Sequence, residues 1–133
     1  MLSLPPGLQV YMAVNPVDMR KSFDGLSAAV EAVFDRNVLD GHLFLFLNKR
    51  RDRIKVLWWD GDGLAIFAKR LERGSFEIPR HAPETRQLRL DATQLALLLG
   101  GVELGSVKLR PRYARAAAKA SSNEARRTLP ENS

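Results

Sequence analysis

Cysteine is absent from the 133-residue chain. This excludes disulfides and thiolate nucleophiles and removes the commonest structural zinc ligand. Histidine is scarce: His42 and His81 are the only two, and they lie far apart in the sequence. Long hydrophobic runs are missing as well. The stretch Leu43 to Leu47 falls far short of the ~20 apolar residues a membrane helix needs. Met1 to Gly7 offers neither a basic nor an apolar signal region, so no signal peptide is expected. The chain has no P-loop, no G-x-G-x-x-G and no G-x-S-x-G. The expectation is a soluble, cytoplasmic protein with no cofactor, no bound metal and no catalytic residues, and therefore not an enzyme.

Hydrophobic residues make up 45% of the chain and aromatic residues 8%. That is enough to build one core in a chain the size of an ordinary domain. The net charge is +6 and is unevenly placed. Residues 1–104 hold 14 Lys and Arg against 13 Asp and Glu, while residues 105–133 hold 7 against 2. The expected organisation is an α+β domain over 1–104 and a basic, largely disordered tail over 105–133. A basic arm suits a polyanion partner, and it also suits a solvating tail that binds nothing specific.

Within the first 104 residues the pattern predicts a strand at 8–14, ended by Asn15-Pro16. A helix from Ser22 to Asp35 should follow, with Ser22 as N-cap, Asn37 as stop, and Phe23, Leu26, Val30, Val33 and Phe34 on its apolar face. Gly25 in its first turn suggests a close approach of the helix to the sheet. Residues 42–47 read as a central strand, and 54–59 and 64–70 as the rest of a meander. A strand at 86–90 and a short helix from Asp91 to Leu99 complete the domain, and 114–120 has the composition of a nascent helix. The result is an α+β fold: a mainly antiparallel sheet containing a β-meander, one main helix packed on it and a short C-terminal helix. Strand order and oligomeric state stay open.

Three groups of residues could carry function. The loop Lys49-Arg50-Arg51-Asp52-Arg53, followed by Lys55, sets five basic residues around one acid. Guanidinium groups bind phosphate in a bidentate manner, so a projecting loop of this kind can lie along a nucleic-acid backbone; the alternative is a solvated loop with incidental charge. On the meander, Lys55, Trp59, Phe67 and Lys69 share one face if the register brings them together. Such a face could stack bases or dock a protein, and the alternative is that these aromatics finish the core. Asp60-Gly61-Asp62-Gly63 has two carboxylates but lacks the later ligands of a calcium loop, and it reads as a turn.

Several blocks in one order carry a resemblance. They are 18–26 (Asp18-Met19-Arg20-Lys21-Ser22-Phe23-Asp24-Gly25-Leu26), 41–55 from Gly41 through Lys55, 58–64 from Trp58-Trp59-Asp60-Gly61-Asp62-Gly63 to Leu64, 69–76 from Lys69-Arg70 to Phe76, and Pro79. Across roughly Leu4 to Val102 the chain resembles the TnpB ("Orf-two-like") accessory proteins of bacterial insertion sequences of the IS sixty-six class. Ser22 and Ile78 stand where Gly and Trp are frequent in that family. The resemblance implies an accessory role in DNA transposition, with the catalytic acids on a separate, larger transposase. DNA at the element's ends is then the expected partner. Arg50, Arg51, Arg53 and Lys55 are the first candidates for phosphate contact, and Arg20, Lys21, Lys69 and Arg70 the second. The alternative is a module that docks on the transposase through Trp59 and Phe67. No membrane partner is expected.

Overall fold

A computed structural model describes residues 6–100 and the backbone of 119–121 and 123–125. Two compact units divide the chain after Asp91, and the first is Pro6–Asp91. It holds β1 (Val10–Ala13), α1 (Phe23–Ala29), β2 (Leu43–Leu47), β3 (Arg53–Trp59), β4 (Leu64–Arg70) and β5 (Gln87–Leu90). The described residues beyond it form α2 (Ala92–Leu99) and two short antiparallel strands, β6 (Lys119–Ser121) and β7 (Asn123–Ala125). The expected α+β class therefore holds. No helix among the described residues is long and apolar enough to cross a membrane.

The five strands of the first unit form one mixed sheet in the order β4-β3-β2-β1-β5. β1 and β2 run parallel, and every other neighbouring pair is antiparallel. Parallel neighbours need a crossover, and α1 supplies it. β2 sits at the centre, as its unbroken apolar run requires, with Phe44, Leu45, Phe46 and Leu47 all buried. On one face Tyr11, Ala13, Phe44, Phe46 and Leu57 pack against Leu26, Val30 and Phe34 of the helical segment. The Phe34 ring lies 5.2 Å from Phe44 and 5.9 Å from Phe46, centroid to centroid.

The helical segment departs from expectation in several respects. After Ala29 the turn widens into a π-helix over Val30–Phe34. Residues four apart drift by about 40° per step around a regular α-helix, so the wider turn keeps Leu26, Val30 and Phe34 facing the sheet. The segment stops at Asp35, which takes a left-handed conformation at φ 54°; Asn37 instead caps the next 3-10 turn, accepting from the Leu39 amide. Ser22 stands at the N-cap position without a side-chain capping bond. Phe23 is 45% exposed rather than core. At Gly25 an added Cβ would meet the Lys21 side chain at 3.1 Å, so the close neighbour is that side chain rather than the sheet.

α2 forms where expected, with Leu95, Ala96, Leu98 and Leu99 buried and Leu97 exposed. Most of the basic tail lies outside the described residues. Of the expected nascent helix at 114–120, only 119 and 120 are described, and their backbone is strand.

Candidate nucleic-acid interface

The topology gathers three loops at one end of the sheet. β1 and β2 both point to this end, where the Val17 amide donates to the Leu47 carbonyl at 2.8 Å. β3 begins there and β4 ends there, since Arg53 stands opposite Arg70. β5 also starts there, with the Val14 amide donating to the Arg86 carbonyl. The loops 14–22, 48–52 and 71–86, with Arg53 and Arg70 at their edges, thus carry ten Lys and Arg against five acids. The opposite end, formed by 35–42 and 60–63, carries Asp35, Asp40, Asp60 and Asp62 against Arg36 alone. Arg36 itself lies over the Tyr11 ring, 4.2 Å from its centroid.

Asn48 organises the tip of the β2–β3 hairpin. Its side-chain oxygen accepts from the amides of Asp52 and Arg53, both at 3.0 Å, and its amide donates to the Asp52 carboxylate at 2.7 Å. That donated bond, more than the nearby Arg50 charge, holds the Asp52 carboxyl below its usual range. The one acid of the tip is thus engaged by an amide rather than by a guanidinium. Among the described residues Lys49, Arg50, Arg51 and Arg53 have no ion-pair partner, and all four are exposed.

Lys55, a first-rank candidate, and the second-rank cations differ from these. Arg20 makes a bidentate pair with Asp18, at 2.7 Å for the closest contact. Its guanidinium, with help from its own main-chain amide, lowers the Asp18 carboxyl to about 2. Arg70 approaches Glu72 at 3.6 Å. The Lys55 ammonium donates to the Lys21 carbonyl at 2.8 Å and so ties the entry of α1 to β3 rather than projecting outward. Lys21 is exposed at the basic end.

The aromatic-basic face, which the sequence left conditional on register, does not form. In the β3–β4 register Lys55 stands opposite Ala68, Val56 opposite Phe67 and Trp59 opposite Leu64. Directly opposed residues share a face. Lys55 and Trp59 therefore lie on the helix-covered side, and Phe67 and Lys69 on the other. The cause is the four-residue turn 60–63, closed by the Asp60 amide on the Gly63 carbonyl: an even loop pairs odd positions with even ones. Among the described residues no three His, Asp or Glu side chains stand close enough to hold a metal ion. His42 accepts from the Gln9 amide at 2.9 Å and meets the Tyr11 ring edge-on, a packing role.

One feature was hidden in the sequence. A wide-open surface cavity of about 680 Å³ lies beside the hairpin, lined by Arg51, Ile78, Pro79, Arg80 and His81. In the sequence, Arg80 and His81 belong to no basic run. They reach Arg51 because the Phe76 amide donates to the Arg51 carbonyl at 2.7 Å, stitching the 71–86 loop to the hairpin.

A family model described as "IS66 Orf2 like protein" matches residues 8–109. Two curated relatives come from Sinorhizobium fredii (strain NBRC 101917 / NGR234). The y4hO protein is 38% identical over 102 residues, covering 75% of this chain and 87% of that protein. The y4jC protein is 33% identical over 105 residues, covering 79% and 88%. No solved structure matches the chain.

Proposed function

The chain belongs to the IS66 Orf2-like family of transposition-associated accessory proteins, and from that membership we propose that it assists transposition by holding DNA against the basic end of its sheet. The observation that carries this reading is the hairpin tip: four exposed cations without ion-pair partners, on a loop whose single acid is engaged by Asn48. Arg50, Arg51 and Arg53 contact phosphates, and Lys21 and the loop cations around them extend the track. Phosphate contacts of this kind set affinity and register rather than sequence choice.

Docking on the separate transposase through a Trp59–Phe67 patch would need both rings on one face. The register sets them on two, so DNA is the better-supported partner.

The test is fluorescence anisotropy of a labelled terminal inverted repeat of the parent element, titrated with the full chain at several salt concentrations. Arg50, Arg51 and Arg53 are then replaced together by Ala. The salt slope should flatten by about 0.9 for each phosphate that is no longer neutralised. An unchanged slope would remove the hairpin from the interface.

A further inference from the structure

We infer that the cavity beside Arg51 receives one unpaired nucleotide from a DNA end, its phosphate held by Arg51 and Arg80 and its base set against Ile78 and Pro79. The inference rests on the DNA-binding reading above and adds what that site takes.

The lining explains the choice of ligand. Arg51 and Arg80 both line this opening, and neither has an ion-pair partner among the described residues, so their guanidinium groups are available to an anion. Ile78 and Pro79 add an apolar wall, which a bare inorganic anion does not need and a nucleobase does. Guanidinium planes also stack on bases. A volume of about 680 Å³ lies within the usual range for small-ligand sites, roughly 300–1,000 Å³. The space is open to solvent, and its apolar wall suits the face of an unpaired base, which an intact duplex keeps stacked away.

The backbone supports the same assignment. Arg51 takes a left-handed conformation at φ 60°, one of two non-glycine residues with positive φ among those described. Two main-chain bonds hold it there: its amide donates to the Asn48 carbonyl at 3.1 Å, and its carbonyl accepts from Phe76. Strain that the surroundings fix in this way gathers where a side chain must be aimed. His81 lies with Nδ1 3.0 Å from the Ala82 carbonyl oxygen. With the proton on Nδ1 as donor to that carbonyl, Nε2 is left to accept from a base or a sugar hydroxyl.

The experiment compares two duplexes of the same sequence, one blunt and one with a three-nucleotide single-stranded 3′ extension, each titrated with the full chain by anisotropy. The extended duplex should bind about ten-fold more tightly, the order expected for one well-seated base. Arg80→Ala should reduce that advantage to less than about two-fold, read as the ratio of the two affinities so that any loss of phosphate contact shared by both duplexes cancels. Equal affinity for the two duplexes, or an advantage that survives Arg80→Ala, overturns the inference and leaves the DNA-binding reading intact. Binding of neither duplex overturns both.

Discussion

Asn48 accepts from two main-chain amides and donates to Asp52, so the acid within the basic tip is engaged by an amide and forms no ion pair with the arginines near it. Asp18 does the opposite for Arg20, and its carboxyl falls to about 2 as a result. The folded value lies below the ordinary 3.8, so this pair supports the fold fully above that pH, and its support disappears as pH falls through about 2. Arg51 illustrates a conflict between fold and function at one position. A left-handed backbone costs an L-residue roughly 1–2 kcal/mol, and glycine adds about 0.5–1 kcal/mol of unfolded-state entropy. Arg51→Gly should therefore leave stability unchanged or raise it by up to about 1.5 kcal/mol in urea unfolding. The same substitution should weaken duplex binding and make it less sensitive to salt than in the native chain. A fall in stability alongside the fall in binding would mean that the Arg51 side chain supports the fold instead. At this scale the sequence showed the run of cations, because a basic block between two apolar runs is visible without a structure. It did not show which acids would neutralise which cations, since Asn48 and Asp52 become partners only once the hairpin closes.

At the scale of elements, β2 and the helical segment carry the core of the helix-covered face. Phe44 is fully buried beneath Tyr11 and Phe34, with ring centroids at 5.7 and 5.2 Å. Phe44→Ala should cost about 3–5 kcal/mol in urea unfolding. Phe23→Ala, at a ring 45% exposed on the same face of the periodicity pattern, should cost no more than about 0.5 kcal/mol. Similar costs at the two positions would contradict this packing. The strands were legible: apolar runs bounded by Asn-Pro, Asp-Gly and a charged loop placed all five within about two residues. The central position of β2 followed from its lack of alternation. Register was the harder quantity. Alternation fixes the two faces within each strand, but the offset between strands depends on the turn. Asp60-Gly61-Asp62-Gly63, taken as a four-residue loop, pairs odd positions with even ones and separates Trp59 from Phe67. The π-helical turn was hidden for a related reason, because spacings of three and four fit either helix until the sheet selects the buried set.

For the sheet-bearing unit as a whole, charge is polarised along the strands. Cations gather on the loops at one end and aspartates on those at the other. A distribution of this kind orients a protein toward a polyanion before contact and raises its encounter rate. The sequence concealed this polarity because 14 Lys and Arg against 13 acids over residues 1–104 look nearly neutral. Only the order β4-β3-β2-β1-β5 sorts them to opposite ends. Arg80 and His81 are the clearest example, isolated in sequence yet brought to Arg51 by one main-chain bond. The central claim is that DNA lies on this basic end. Its most direct test is an amide chemical-shift map of the full chain, titrated with a terminal inverted-repeat duplex at low salt. Shifts should concentrate in 14–22, 48–53 and 70–86 and spare 35–42 and 60–63. Shifts confined to the residues after Gly105, or centred on the aspartate-bearing end, would contradict it.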